Sequence, residues 1–177
     1  MKLIVISPPE NIPNEKETII SLFENGLEIF HIHKPSLSNE ELQNYIRQIP
    51  WKFRDRIFLH EDFLKFHSLQ ELNSCKKEYE YAFLSPIFDS ISKENYKSKL
   101  DLSELEQIVE GKKIIALGGI DEDKIETVRE IGFFGVAVLG AIWQSENPVG
   151  KFKNIQTLCH SELVSESHKM LKQVQHD

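Results

Sequence analysis

The chain has 177 residues, 40% of them hydrophobic and 28% charged, which suits one ordinary globular domain. A formal net charge of -7 without a basic cluster argues against nucleic acid as a partner. No apolar run approaches membrane-spanning length, and Met1 leads straight into a predicted strand rather than a signal peptide. Cys75 and Cys159 lack metal or redox spacing. We therefore expect a cytoplasmic protein without a membrane partner.

Apolar runs alternate with amphipathic segments along most of the chain. Six strands are predicted, at residues 2–6, 27–33, 56–60, 80–84, 114–117 and 134–139. Capping boxes, in which a cap residue is followed three positions later by Glu, predict helix starts at Asn14, Ser38, Ser68 and Asp101. This alternation predicts parallel strands joined by right-handed crossovers, in either a barrel or a doubly wound open sheet.

Two predicted strands near the end of the chain are each followed by glycine. Gly118 and Gly119 follow the first strand, and Gly140 follows the second. Adjacent parallel strands that end this way would direct free backbone N–H groups to one place, as in barrels that bind phosphate after their last two strands. The alternative is ordinary turn chemistry without a ligand. The two glycine exits favour a TIM-type barrel over an open sheet.

The middle of the chain is short for a complete barrel. Only six residues separate His60 from His67, which leaves no room for a helix and a full strand. We expect an incomplete α/β barrel that lacks about one to two strand–helix units after strand three, or one strand if residues 64–67 form a strand. Because a missing strand exposes sheet edges, closure with fewer strands or a homodimer is expected.

Five motifs, in their order and spacing, resemble those of the thiamine-phosphate synthase and TenI family. They are FHIHKP (30–35), HSLQEL (67–72), FLSPIFDSISK (83–93), IALGGI (115–120) and GVAVLGAI (135–142). The resemblance extends over residues 1–153. We assign residues 1–158 to the barrel and residues 159–177, a polar stretch unlike the family, to a tail outside the fold.

The resemblance implies an enzyme of thiamine biosynthesis that acts on phosphorylated small molecules. In the synthases of this family, a hydroxymethylpyrimidine diphosphate loses pyrophosphate, and the nitrogen of a thiazole phosphate attacks the resulting cation. Magnesium assists, and the charge that develops on the leaving group must be stabilised. The expected function is therefore a magnesium-dependent transferase.

The same resemblance assigns site residues. Lys93 matches a lysine that contacts pyrophosphate, and Lys34, which follows strand two, is a second catalytic candidate. The positions implied for binding of the thiazole phosphate lie in the loop before Lys93 and at the glycine exits. They are Ser90, Ile91, Ser92, Gly118, Gly119, Val138, Leu139 and Gly140.

The chain departs from the family on strands two and three. His31 and His33, on one strand face, replace glutamine and arginine chemistry, and with His60 they are candidates for substrate binding. Glu61 and Asp62 stand near a magnesium-binding aspartate of the synthases, and their oxygens suit that ion. In a separate hypothesis the three histidines and one carboxylate bind zinc or iron. The alternative is hydrogen-bonded core or polar binding groups.

TenI proteins provide a second template, because FHIHKP is closer to their strand two. Their tautomerase chemistry uses a histidine where this chain has Pro86, which argues against that activity. The alternatives to the transferase are a non-enzymatic barrel that binds a phosphorylated thiazole or thiamine phosphate, and a TenI-like regulator without tautomerase activity. The departures on strands two to four favour loss of the diphosphate half of the site.

Overall fold

The computed structural model describes residues 1–89 and 102–161. Its strands are β1 (Lys2–Ile6), β2 (Ile29–Ile32), β3 (Ile57–Leu59), β4 (Lys65–Phe66), β5 (Ala82–Leu84), β6 (Ile114–Leu117) and β7 (Gly135–Val138). Its α-helices are α1 (Glu15–Glu24), α2 (Asn39–Arg47), α3 (Leu69–Ser74), α4 (Leu102–Val109), α5 (Ile125–Ile131), α6 (Gly140–Trp143) and α7 (Pro148–His160). None of the helices in the described part of the chain has the length and apolar character needed to cross a membrane.

All seven strands belong to one parallel sheet, in the order β3-β2-β1-β7-β6-β5-β4. Within the described residues the sheet curls into an incomplete TIM-type barrel, as expected, with one strand fewer than the usual eight. The six predicted strands are present, and β4 is the short strand expected within residues 64–67. One strand–helix unit is therefore missing, and a single 3-10 turn (His60–Asp62) connects β3 to β4.

The open side of the barrel lies between β3 and β4, which we call the seam. Among the described residues, β3 pairs only with β2 and β4 pairs only with β5. Ile57, Phe58 and Leu59 on β3 are each partly exposed, whereas the residues of β7, which pairs on both sides, are buried. The missing unit thus leaves two free sheet edges.

Alternation along the strands sorts side chains into two apolar layers. On β1, Leu3 and Val5 pack outward against the helices, whereas Ile4 and Ile6 fill the barrel interior. Tyr81 and Phe83 join the interior from the β5 side. The interior is a packed core rather than a pore.

The barrel continues past the predicted boundary at residue 158. Helix α7 extends to His160, and Cys159 is 2% exposed within the outer core. The Met1 ammonium donates a hydrogen bond to the Cys159 carbonyl oxygen at 3.2 Å, so the last turn of α7 is joined to β1. Residues 162–177 of the predicted tail lie outside the described residues.

The predicted helix caps have mixed outcomes. Ser38 forms the complete capping box with Glu41, and Ser68 accepts a hydrogen bond from the Glu71 backbone. Asn14 does not cap α1: its φ is 58° and its side chain makes no capping bond. The Glu15 carboxylate instead accepts from the Ile12 backbone at 3.4 Å. The predicted cap at Asp101 lies outside the described residues.

Candidate functional site

The exits of β6 and β7 lie side by side, because the two strands are paired through Ile115–Gly135, Ala116–Val136 and Leu117–Ala137. Gly140 begins the short helix α6 directly after β7. The first N–H groups of any helix have no partner within it. The Trp143 indole N–H donates to the Ile6 carbonyl oxygen at 2.6 Å and fixes α6 over β1. The structure therefore brings the two glycine exits together.

Gly118 and Gly119 are required by close packing of the chain that follows β5. Their φ angles are 94° and 66°, and a Cβ atom on Gly119 would lie 2.3 Å from the Asp89 carbonyl oxygen. The backbone N–H groups of Ile87 and Phe88 donate to the carbonyl oxygens of Leu117 and Gly118 at 3.0 and 3.1 Å. Turn and packing chemistry is thus sufficient to explain the two glycines.

The other residues predicted at this end of the barrel do not all lie at the glycine exits. Val138 is buried and is paired with Val5 of β1, whereas Leu139 is half-buried against the barrel interior. Ser90, Ile91, Ser92 and Lys93 lie outside the described residues, immediately after Asp89. Asp89 itself lies against Gly119, so the described chain leads towards the glycine exits.

The histidines of β2 and β3 meet inside the barrel. His31 is fully buried, with Nε2 at 2.7 Å from the Tyr81 hydroxyl oxygen. Its Nδ1 lies 3.4 Å from Nδ1 of His60, which is 6% exposed and packs edge-on against Phe83. The His33 ring lies 5.6 Å from that of His60, centroid to centroid. All three predicted histidines therefore form one cluster with Tyr81.

Both buried histidines are held in the neutral form. The pKa of His31 is lowered to about 3, mainly by burial and to a smaller extent by the neighbouring His60 and Lys65. Burial also lowers the pKa of His60 to about 4, together with the charges of Lys65 and His33; Glu61 opposes this shift. At neutral pH these two imidazoles are uncharged hydrogen-bonding groups.

His33 and Glu61 form a more exposed pair at the end of the barrel. The Nδ1 atom of His33 lies 2.6 Å from the Glu61 carboxylate, which also accepts from the Lys65 ammonium at 2.9 Å. The hydrogen bond from Lys65 is the largest cause of the lowered pKa of Glu61, with a further contribution from His33. The carboxylate is therefore already paired with two donors.

The predicted metal ligands do not gather into a cluster of three or more within the described residues. Glu61 is engaged by His33 and Lys65, Asp62 is exposed, and no group of three or more His, Cys, Asp or Glu side chains in residues 1–89 and 102–161 is arranged to hold an ion. His31 uses both ring nitrogens in contacts with Tyr81 and His60. The described residues offer no cluster for the zinc or iron hypothesis, and the magnesium site stays a prediction.

Lys34 is buried and paired. Its ammonium donates to the Glu15 carboxylate at 2.9 Å and to the Glu10 carbonyl oxygen at 2.8 Å, and it lies 5.3 Å from the centre of the Tyr45 ring. The Tyr45 hydroxyl donates to the other Glu15 oxygen at 2.5 Å. These contacts hold the loop between β1 and α1, so the geometry gives Lys34 a positioning role rather than the catalytic one predicted.

Tyr81 is the site residue that the sequence analysis did not select. It precedes β5 and shares a strand face with Phe83, as the alternation in residues 80–84 allows. That alternation could have placed Tyr81 inside the barrel. Its contact with His31, 50 residues earlier in the chain, follows only from the three-dimensional fold.

Comparisons with known proteins agree with this geometry. Residues 65–142 match the family model described as thiamine monophosphate synthase. The thiamine-phosphate synthase of Anoxybacillus flavithermus is 37% identical over 87 residues, 45% of this chain and 40% of the relative. That of Latilactobacillus sakei is 34% identical over 88 residues, 48% of this chain and 39% of the relative. The matches therefore span about two fifths of these curated relatives.

Solved structures extend the likeness to most of the chain. The crystal structure of thiamine phosphate pyrophosphorylase from Bacteroides thetaiotaomicron has a TM-score of 0.78 and 29% identity, over 93% of this chain and 100% of that one. The protein of the same name from Pyrococcus furiosus, at 18% identity and a TM-score of 0.75, covers 92% of this chain and 97% of that one and shares the fold.

The described residues form an incomplete TIM-type barrel in which the glycine exits of β6 and β7 lie side by side. The family model, the curated relatives and the structural likeness together support the resemblance of this chain to the thiamine-phosphate synthase and TenI family, in sequence over residues 65–142 and in fold over most of the chain. The strands matched by the family model are β4 to β7, the half of the barrel that carries the glycine exits.

Proposed function

We propose that the protein is a thiamine-phosphate synthase-like transferase of thiamine biosynthesis, which joins a hydroxymethylpyrimidine diphosphate to a thiazole phosphate and releases pyrophosphate. The observation that carries this proposal is the family match over residues 65–142, which includes both glycine exits. We assign the thiazole phosphate to the ends of β6 and β7. There Gly119, Leu139 and Gly140 would offer backbone N–H groups, and Ser90, Ile91 and Ser92 would complete the site.

Lys93 is proposed to contact the departing pyrophosphate, where a fixed positive charge favours the transition state over the bound substrate. His33 and His60 would contact the pyrimidine diphosphate from the opposite side of the barrel. No step is assigned to a metal ion, because the Glu61 carboxylate is already paired with His33 and Lys65 and no group of three or more potential ligands occurs in the described residues.

A second candidate function is a non-enzymatic barrel, or a TenI-like regulator, that binds only the phosphorylated thiazole or thiamine phosphate. Two observations favour it. One strand–helix unit is missing on the side proposed for the diphosphate, and the Lys34 ammonium there is bound to Glu15 and the Glu10 carbonyl. Both candidates share the site at the ends of β6 and β7.

Calorimetric titration separates the two candidates. Purified protein is titrated with thiazole phosphate, and separately with the pyrimidine diphosphate in the presence of magnesium. Binding of both, followed by pyrophosphate release in a turnover assay, supports the transferase. Binding of thiazole phosphate alone supports the second candidate, and binding of neither contradicts both.

A further inference from the structure

The contact network around His60 determines which ring nitrogen carries its proton. His60 follows β3, and its Nδ1 atom faces Nδ1 of His31 at 3.4 Å. Two nitrogens can share a hydrogen bond only if one carries a proton and the other offers a lone pair. One of the two imidazoles must therefore be the donor, and the direction depends on what His31 does at its other nitrogen.

Tyr81 sets that direction. Its hydroxyl oxygen lies 2.7 Å from Nε2 of His31, and its side chain is 3% exposed in the barrel interior. If His31 donated to Tyr81 through Nε2, the Tyr81 hydroxyl proton would have no acceptor among the contacts of the described residues. Leaving a buried donor without an acceptor is costly. The favoured arrangement has Tyr81 donating to Nε2 of His31.

The rest of the chain of hydrogen bonds follows from this choice. With Nε2 as an acceptor, neutral His31 carries its proton on Nδ1 and donates to Nδ1 of His60. Because Nδ1 of His60 accepts this hydrogen bond, Nδ1 carries no proton, and the single ring proton of His60 therefore lies on Nε2.

The Nε2 atom of His60 makes no hydrogen bond within residues 1–89 and 102–161. No buried side-chain nitrogen or oxygen there is left unpartnered, so Nε2 is an exposed atom that a ligand can reach. The position at the end of β3 lies on the carboxyl side of the barrel, where barrel enzymes bind substrates.

We propose that Tyr81 and His31 fix His60 in the form protonated on Nε2, so that His60 presents an uncharged hydrogen-bond donor to an acceptor oxygen of a bound phosphate ester or diphosphate. Tyr81 and His31 are positioning residues, and only His60 touches the ligand. The choice of a phosphate-bearing ligand rests on the proposed function; the protonation pattern rests on the contacts alone.

The first test is long-range ¹H–¹⁵N NMR of the full chain with ¹⁵N-labelled histidine, because protonated and unprotonated ring nitrogens have well separated shifts. The expected result near neutral pH is a proton on Nε2 of His60 and on Nδ1 of His31. Tyr81→Phe should shift both rings towards a mixture of forms, whereas Tyr79→Phe, a change beside Phe66 in the outer layer, should leave them unchanged. A proton on Nδ1 of His60 in the wild type would overturn the proposal.

The second test addresses the donor role with inorganic phosphate and pyrophosphate as probes. Either anion should shift the His60 Nε2 resonance, and Tyr81→Phe should weaken that binding by up to about tenfold, the value of one neutral hydrogen bond. His60→Asn, which keeps an N–H donor, should bind more tightly than His60→Phe. If neither probe moves the resonance, the donor role is wrong. Failure of thiazole phosphate to bind at β6 and β7 would instead contradict the proposed function and leave the His60 result intact.

Discussion

The Nζ atom of Lys34 lies 2.9 Å from an Oε atom of Glu15, with the two side chains 1% and 5% exposed. This ion pair joins the chain after β2 to the start of α1, and Glu10 completes it through its carbonyl oxygen. When one of two paired, buried charges is removed, the other stays buried without a counter-charge, which is energetically costly. The pair is a stabilising feature of the loops at the end of the barrel.

We predict that Lys34→Met lowers the free energy of unfolding by about 3 to 5 kcal/mol, because it leaves the Glu15 carboxylate buried without its counter-charge. Urea unfolding measures the change. The control is Lys16→Met, which removes an exposed partner of Glu17 at 3.9 Å and should change stability by less than about 1 kcal/mol. Equal stabilities of the two variants would contradict the role assigned to Lys34.

Gly119→Ala is predicted to destabilise the protein more than Gly111→Ala. Both glycines have positive φ angles, 66° and 71°, so both substitutions incur the left-handed backbone penalty of about 1 to 2 kcal/mol. A Cβ atom on Gly119 would also clash with the Asp89 carbonyl oxygen, whereas one on Gly111 would meet nothing within 4 Å. The additional cost should be about 1 to 3 kcal/mol. Thermal or urea unfolding measures this difference in stability. Equal destabilisation by the two substitutions would show that the loop containing Asp89 moves aside without cost.

Acid should destabilise the protein through His31 and His60. Because their pKa values are lower in the folded state, at about 3 and about 4, than the ordinary 6.5, the unfolded chain binds more protons as the pH falls below about 6.5. Stability should be full above about pH 7.5 and should fall by roughly 2 to 4 kcal/mol between that pH and about pH 5. His60→Asn should reduce this slope in urea unfolding, and His67→Gln, at an exposed position, should not. An unchanged slope in His60→Asn would contradict the assignment.

Hydrogen exchange should reveal the seam. The amides of β1, which pairs with β2 and β7, should exchange slowest, and those of β3 should exchange sooner because β3 has a partner on one side only. Exchange followed by mass spectrometry measures the difference. Equal protection of β1 and β3 would indicate that the seam is covered in solution, as in the homodimer proposed from the sequence, and light scattering would then identify the dimer.

Lys93→Ala should abolish turnover if the transferase proposal holds, since the lysine would stabilise the charge of the leaving pyrophosphate. Steady-state release of pyrophosphate is the measurement. Lys97→Ala, a charge-matched change four residues further on, is the control and should retain most of the activity. Unchanged turnover in Lys93→Ala would remove Lys93 from the mechanism.

The strands with continuous apolar runs, such as Lys2–Ile6 and Ile114–Leu117, were predictable from the sequence. A strand that is buried on both faces consists almost entirely of apolar residues, and such a run is visible without knowledge of the fold. It predicted β4 only as an alternative, since Lys65–Phe66 is too short to show a period. The shortened middle of the barrel was predicted from the six residues between His60 and His67, which leave no room for a helix and a full strand.

The site was predictable only in part. The alternation of His31 and His33 along one strand indicated inward-facing histidines, and the spacing after each strand indicated the glycine exits. The partners of these residues were not predictable, because the bonds from Lys34 to Glu15 and from His31 to Tyr81 join positions 19 and 50 residues apart. Such pairings depend on the curl of the sheet rather than on local pattern.

The turn that connects β3 to β4 has a consequence for engineering. In a closed barrel, the number of strands and the shear together fix the radius. An inserted strand would therefore change the hydrogen-bond register between strands around the whole barrel. Here the His60–Asp62 turn carries the chain from β3 to β4 across the seam, and the six strand pairs of the sheet all lie elsewhere. A strand–helix unit inserted into this turn would therefore extend the sheet at one of its free edges and leave the register of every existing strand pair unchanged.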